Sequence, residues 1–338
     1  MPSPLLQSGE VEVHRSIGRI ILTNVLAIGA CPADAENLRR LPRIGQVFGA
    51  NLLIAKPSDE AFRQGLRNLG YVDGENVIIL PRYAHGGSAR FPALLSELIA
   101  LNVDVLVVTS TAVPAAMQAT KTIPIVCPTM EDPVEAGLAA SFARPGANLT
   151  GLYGLFNETD SKRLELAMEA VPGLRRAAVM FEASDASLVS GANEFRAFAR
   201  GLGVTLHLVG VHNWEKIEIA LKAMEPNRPQ ALILFSSPMM YMHAARIIAG
   251  FASYKVPVIS DGKHFAEAGA LLSYSPNFQD MWRRGAVYVD KILKGAKPGD
   301  LPIEQPTTFE LVVNLRTARA LGITISESIL LRADEIIR

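Results

Sequence analysis

The chain is short of the features that mark most other protein classes. Of 338 residues only two are cysteine, Cys31 and Cys127. Two cysteines this far apart give neither a disulfide framework nor the paired spacing of a zinc site. Cys127 stands in the apolar run 123–128 and reads as a small core residue at a strand end. Excess charge is missing too: 33 lysines and arginines balance 33 aspartates and glutamates, with no acidic or basic tail. A neutral chain has no overall attraction for nucleic acid or for an anionic membrane face, so neither is an expected partner. No apolar run reaches the about 20 residues of a spanning helix. Charged residues make up 20% and hydrophobic residues 49%, which fits the cores of about two α/β lobes at this length.

Catalytic signatures are also lacking. There is no His-Glu-x-x-His pair, no Gly-x-Ser-x-Gly elbow, no Walker loop and no dinucleotide fingerprint. The six histidines are scattered. His207, inside the apolar run 205–209, reads as a hydrogen-bonded packing residue rather than a base. Glu131 and Asp132 precede Pro133 and an expected helix start, where carboxylates compensate the helix dipole without chemistry. No enzyme, metal or cofactor is expected.

What is present begins with an apolar stretch of 11 residues, 20–30, that follows Arg15 and Arg19 and closes at Cys31. A short hydrophobic core after positive charge, ending on small residues, is the pattern of a secretory signal peptide. Residues 28–31 also resemble a lipobox. Residues 1–41 therefore read as leader and linker, with Cys31 the lipidation candidate. The mature protein would be periplasmic, or held by lipid at the outer face of a membrane. The alternative for this stretch is a buried hairpin or strand of a cytosolic protein.

The body alternates regularly. Strands are expected at 43–48, 76–80, 104–108, 123–126 and 148–152, then at 176–181, 205–209, 231–235, 256–259 and 270–273. Helical patterns lie between them, at 60–69, 91–101, 112–120, 161–171, 192–201, 214–224, 240–251 and 265–268. Such alternation implies parallel sheets covered on both faces. The expected fold is α/β: two doubly wound parallel-sheet lobes of five strands each, with a ligand cleft between them.

In such sheets ligands bind beyond the carboxyl ends of the strands. Those ends carry Asn51, the turn Thr109, Ser110 and Thr111, then Asp132, Ser236, Ser237, Asp261 and Tyr274. Hydroxyls and free N–H groups can hold an anionic group, and an ionised carboxylate can hold an ammonium or a sugar hydroxyl. For any single serine or threonine, helix capping is an equal alternative. As a set converging on one cleft, they point to ligand contact.

Several stretches then resemble a known family. They are 61–77, 122–126, the run Asp132-Pro-Val-Glu-Ala-Gly-Leu138, 143–151, 162–166, 288–298, 301–306 and 309–322. In order, over residues 42–338, they resemble substrate-binding proteins of the tryptophan/tyrosine ABC-importer type. The resemblance implies the type I periplasmic-binding-protein fold, with lobes 42–153 plus 277–305 and 154–276 plus 306–338. It implies that the helix 277–294 returns to the first lobe and the tail to the second. The family's pocket positions map onto Asn51, the turn 109–111, Asp132, Ser236 and Asp261. This chain departs from the family at 181–186, without the usual Asn-rich loop, and at 239–241, where small residues are usual.

The implied function is capture of a small polar solute, an amino acid or an aromatic or carboxylate compound, by a monomer that delivers it to an ABC permease. The rivals are a ligand-sensing domain of the same fold and a cytosolic α/β enzyme. The leader predicts a mature chain starting at Cys31. The intact mass of protein purified from the expressing cell checks this, and a full-length cytoplasmic product would refute it.

Overall fold

The computed structural model of the protein describes residues 40–224 and 228–338. The apolar stretch 20–30 and Cys31 lie outside the described residues. Among them are two sheets. The first holds five parallel strands, β1 (Arg43–Phe48), β2 (Ile78–Tyr83), β3 (Val105–Val108), β4 (Ile125–Met130) and β5 (Leu149–Tyr153), in the order β2-β1-β3-β4-β5. The second holds β6 (Arg176–Glu182), β7 (Thr205–Val211), β8 (Ala231–Leu234), β9 (Val258–Ser260), β10 (Leu272–Pro276), β11 (Phe309–Asn314) and β12 (Glu335–Ile337). Its order is β12-β11-β10-β9-β8-β6-β7, and only β10 and β11 pair antiparallel. Central strands such as β3 and β8 are buried along their whole length, as continuous runs of valine, leucine and isoleucine require in a sheet covered on both faces.

The helices are α1 (Leu52–Asn68), α2 (Phe91–Ala100), α3 (Val113–Ala119), α4 (Phe156–Ala170), α5 (Ala186–Gly201), α6 (Trp214–Ala223), α7 (Pro238–Ser253), α8 (Lys263–Glu267), α9 (Phe278–Leu293), α10 (Leu315–Leu321) and α11 (Glu327–Arg332). The chain passes from the first sheet to the second between β5 and α4. It returns from β10 into α9, then crosses again into β11. These passages are bonded together: Tyr153 N–H donates to the Glu304 carbonyl at 2.9 Å, and Asn277 N–H to the Thr308 carbonyl at 3.0 Å.

Helix α9 buries Met281, Trp282, Ala286, Tyr288, Val289 and Ile292 in one core with Ile44, Phe48, Phe62 and Leu66 of the first sheet and α1. The close approach of α9 to α1 depends on Gly65. A Cβ there would stand 2.4 Å from the Arg283 carbonyl oxygen and 2.8 Å from Ala286 Cβ.

The structure corrects several expectations. The second sheet has seven strands, not five, because the apolar tail segment Leu311, Val312 and Val313 pairs with β10. Helix α1 starts at Leu52, since the Asn51 side chain accepts from Ile54 N–H at 3.1 Å. Pro57 sits inside this helix and denies the Leu53 carbonyl its usual donor. Leu53 is 78% exposed, so water can supply the bond. Helix α5 starts at Ala186 for the same kind of reason: Asp185 Oδ1 accepts from Ser187 N–H at 3.0 Å.

No helix follows Pro133; Asp132 Oδ1 instead accepts from Val134 N–H at 2.8 Å and Glu135 N–H at 2.9 Å and closes a turn. His207 is exposed on the edge strand β7, so it does not pack in the core. Cys127 lies within β4 rather than at its end, fully buried, and burial pushes its thiol up to about 12.

The glycine contact carries the prediction for the fold. Gly65→Ala should destabilise the protein by about 1–3 kcal/mol, the usual cost of overpacking a tight core contact. Chemical denaturation checks it, and a melt indistinguishable from wild type would show that α1 and α9 can part freely.

Candidate functional site

The carboxyl ends of β1, β3 and β4 in the first lobe face those of β6, β8 and β9 in the second. Between them lies a cleft of about 530 Å³, within the range of small-molecule sites. One wall is aromatic. Phe48, the last residue of β1, stacks on Trp282 of α9 with ring centroids 5.1 Å apart, and on Tyr83 at 5.5 Å. Phe156 and Phe278, which open the two helices that follow the first two crossings, lie 6.2 Å apart and also line the cleft.

The floor is charged. Arg163 of α4 is 2% exposed. Its Nη1 donates to the Tyr274 carbonyl at 3.0 Å, and its Nη2 pairs with Asp160 one turn earlier on the same helix. Its Nε meets no partner. Beside it stands Asp261, which accepts from Ser236 Oγ. Burial raises the Asp261 carboxyl from 3.8 to about 6, although the nearby Arg163 charge pulls the other way. Burial likewise raises the Glu131 carboxyl, as does Asp185 opposite, while hydrogen bonds from Ser187 and Ser110 hold it down. Glu131 thus faces residues of the second lobe across the cleft.

The hydroxyl turn after β3 settles one question of role. Thr109 occupies a helix-cap position without making a side-chain cap bond. The hydroxyls of Thr109 and Thr111 are buried and have no partner. A buried polar atom left unpaired costs about 1–3 kcal/mol, so each of these hydroxyls would be stabilised by a partner that the present arrangement does not supply.

Of the nine residues picked from strand ends, seven line the cleft: Thr109, Ser110, Thr111, Asp132, Ser236, Ser237 and Asp261. Ser237 also caps α7, accepting from Met240 N–H at 3.2 Å. Two do not line it. Asn51 is occupied as the cap of α1. The Tyr274 ring stacks on Phe309 of the antiparallel neighbour β11, 5.9 Å between centroids, and only its carbonyl serves the floor.

Reading strand ends missed Arg163, Asp160 and Trp282, and took Glu131 for a helix-dipole carboxylate although no helix follows it. A signal for the first pair was present: an aspartate and an arginine three apart on a helix, beside the apolar Leu164, Leu166 and Ala167. Trp282 comes from a helix 234 residues after β1 ends, by the numbering of Phe48 and Trp282, and no local pattern announces that return. Among the described residues no cluster of three or more metal-ligating side chains occurs.

The family model for ABC transporter substrate binding proteins matches residues 55–337. A tyrosine-binding protein of Clostridioides difficile is 23% identical over 319 residues, covering 90% of this chain and 89% of its own. A conserved domain protein from Vibrio cholerae is similar in structure, with a TM-score of 0.83 at 26% identity over 88% of this chain and 100% of that one. An ABC domain from Streptococcus pneumonia, solved in complex with L-Trp, has a TM-score of 0.82 at 24% identity, with the same coverage.

The charged floor generates a prediction about pH. The folded Asp261 carboxyl titrates near 6, above its ordinary 3.8. Between those values the folded state holds a proton that the unfolded chain has lost, so stability rises as pH falls through this window and is lower above it. Asp261→Asn should therefore raise the melting temperature of the ligand-free protein at pH 8 and flatten the gain between pH 7 and pH 5. A variant that melts lower at pH 8 would show that the Arg163 attraction outweighs the burial of the carboxylate.

Proposed function

The chain belongs to the family of ABC transporter substrate-binding proteins, and from that premise we propose that it captures an aromatic amino acid between its lobes and delivers it to an ABC permease. One observation carries the choice of ligand. A single cleft sets an aromatic wall, made by Phe48, Phe156, Phe278 and Trp282, against unpaired hydroxyls and a buried group of two carboxylates and one guanidinium.

Each part of the ligand then has a complement. The ring lies against the aromatic wall, where stacked or edge contacts add about 0.5–1.5 kcal/mol beyond area burial. The ammonium takes acceptor oxygens of Asp261 and Asp160. The carboxylate takes the hydroxyls of Thr109 and Thr111. The tyrosine-binding relative and the L-Trp complex support this assignment. Because the groups come from both lobes, the ligand binds better to closed lobes than to open ones, which is what drives closure. Solute carriers of this kind work outside the cytoplasm, which agrees with the leader pattern at 20–31 and with Cys31 as an attachment point. No helix among the described residues is long and apolar enough to cross a membrane. The carrier works as a monomer and catalyses nothing.

A thermal-shift titration of residues 32–338 with L-tryptophan and L-tyrosine tests the proposal. A ligand at 1,000 times its dissociation constant adds about 4 kcal/mol to the folded state, which in a protein of this size raises the melting point by roughly ten degrees. Thr109→Val should lower that shift while leaving the ligand-free melt unchanged or higher. A well-folded sample that ignores both amino acids but shifts with sugars or nucleosides would overturn the ligand.

A further inference from the structure

The two lobes touch beside the cleft at a place where the first lobe has no side chains. Gly49, just after β1, faces Pro238, the first residue of α7 in the second lobe. A Cβ built on Gly49 would lie 2.5 Å from Pro238 Cγ and 3.2 Å from Pro238 Cβ. Gly86 stands next to it, its N–H donating to the Gly49 carbonyl at 2.7 Å. A Cβ on Gly86 would be 3.0 Å from Met242 Sδ and 3.8 Å from Met239 Cα. Two bonded glycines of one lobe thus form a flat bed for the first turn of a helix on the other. The contact has a functional position as well: Gly49 and Pro238 line both the main cleft and a neighbouring chamber of about 340 Å³.

We propose that the seating of Pro238 on Gly49 is the stop of lobe closure, so that these two residues set the width of the closed cleft and hence which ligands it retains. The proposal rests on the reading of the cleft as a site that closes on its ligand. Physically, closed packing is bistable rather than elastic. If one methyl group occupies the seat, the lobes stop short, and groups on opposite walls no longer reach the ligand together. Backbone strain is not the cause at Gly49, which lacks the positive φ that Gly86 has at 79°. What matters there is the space a Cβ would take.

The test uses the full chain with L-tryptophan and L-tyrosine as probes, measuring affinity, dissociation rate and the change in radius of gyration on binding. Gly49→Ala should weaken binding of the probe that wild type takes by about tenfold, within the cost of one overpacked contact. The loss should show as faster dissociation, and the complex should stay wider than the wild-type complex. Adding Pro238→Ala gives the methyl its room and should restore most of the affinity and the compaction.

Wild-type binding and compaction by Gly49→Ala would overturn the stop. So would a loss that Pro238→Ala fails to rescue, since it would belong to Thr111 Oγ1, 3.3 Å from the same Cβ position within the first lobe. A second measurement needs no ligand. In Gly49→Cys with Pro238→Cys the Cβ atoms would lie near the 3.5–4.5 Å span of a disulfide, and mild oxidation should join them. Oxidation traps the closed form whenever the lobes visit it, so absence of the cross-link after prolonged oxidation overturns the stop even if neither amino acid binds. Its formation in a protein that ignores both probes would leave the stop standing and remove only the ligand assignment.

Discussion

The buried guanidinium of Arg163 is the constraint on which the rest of the cleft depends. It reaches the floor from α4, the first helix after the chain enters the second lobe. There it pairs with Asp160 on its own helix and donates to the Tyr274 carbonyl of β10, with the charge of Asp261 beyond β9 nearby. A charge with 2% exposure is tolerated only when it is paired. Removing the ion-pair partner Asp160 would typically cost about 3–5 kcal/mol, and the bond to the Tyr274 carbonyl ties α4 to β10. The need to pair this charge leaves a cluster of carboxylates at the bottom of the cleft with more negative charge than one arginine cancels.

That excess explains the direction of the shifts around it. Asp261 gives up its proton less readily because burial outweighs the help of Arg163. Glu131, on the other lobe, is raised by burial and by Asp185 facing it. In the proposed complex the ligand's ammonium relieves Asp261. The aromatic wall belongs to the same design by a longer route. Trp282 is carried to Phe48 by α9, whose seat on α1 exists because residue 65 has no side chain. Small residues recur where large parts of this molecule meet, at Gly65 within the first lobe and at Gly49 and Gly86 between lobes.

Much of the fold was legible before any coordinates. The runs at 104–108 and 231–235 announce buried parallel strands because valine, leucine and isoleucine on both faces of a strand have no other use. The hydroxyl turn 109–111 and Asp261 follow from the rule that ligands sit beyond strand ends. The helix expected at 60–69 begins eight residues earlier, at Leu52, because Asn51 caps it and the exposed Leu53 carbonyl tolerates Pro57. The start of α5 was misread because Asp185 looks like loop. That error hid Ser187, which lines the cleft and donates to Asp185. Tyr274 was misread because alternation along β10 turns its ring toward Phe309 and leaves only the carbonyl for Arg163.

By itself the sequence determined the alternation of strands and helices, the parallel sheets, and the set of turns that could meet a ligand. These follow from periodicity and turn chemistry, which act over a few residues. The tertiary structure decided which threonines cap and which stand unpaired, that Arg163 lies on the floor, and that Trp282 completes the aromatic wall. It also decided where two glycines receive a proline from the other lobe. Those outcomes depend on distances between segments more than a hundred residues apart, and a side chain's partners at that range are set by packing, not by its neighbours in the chain.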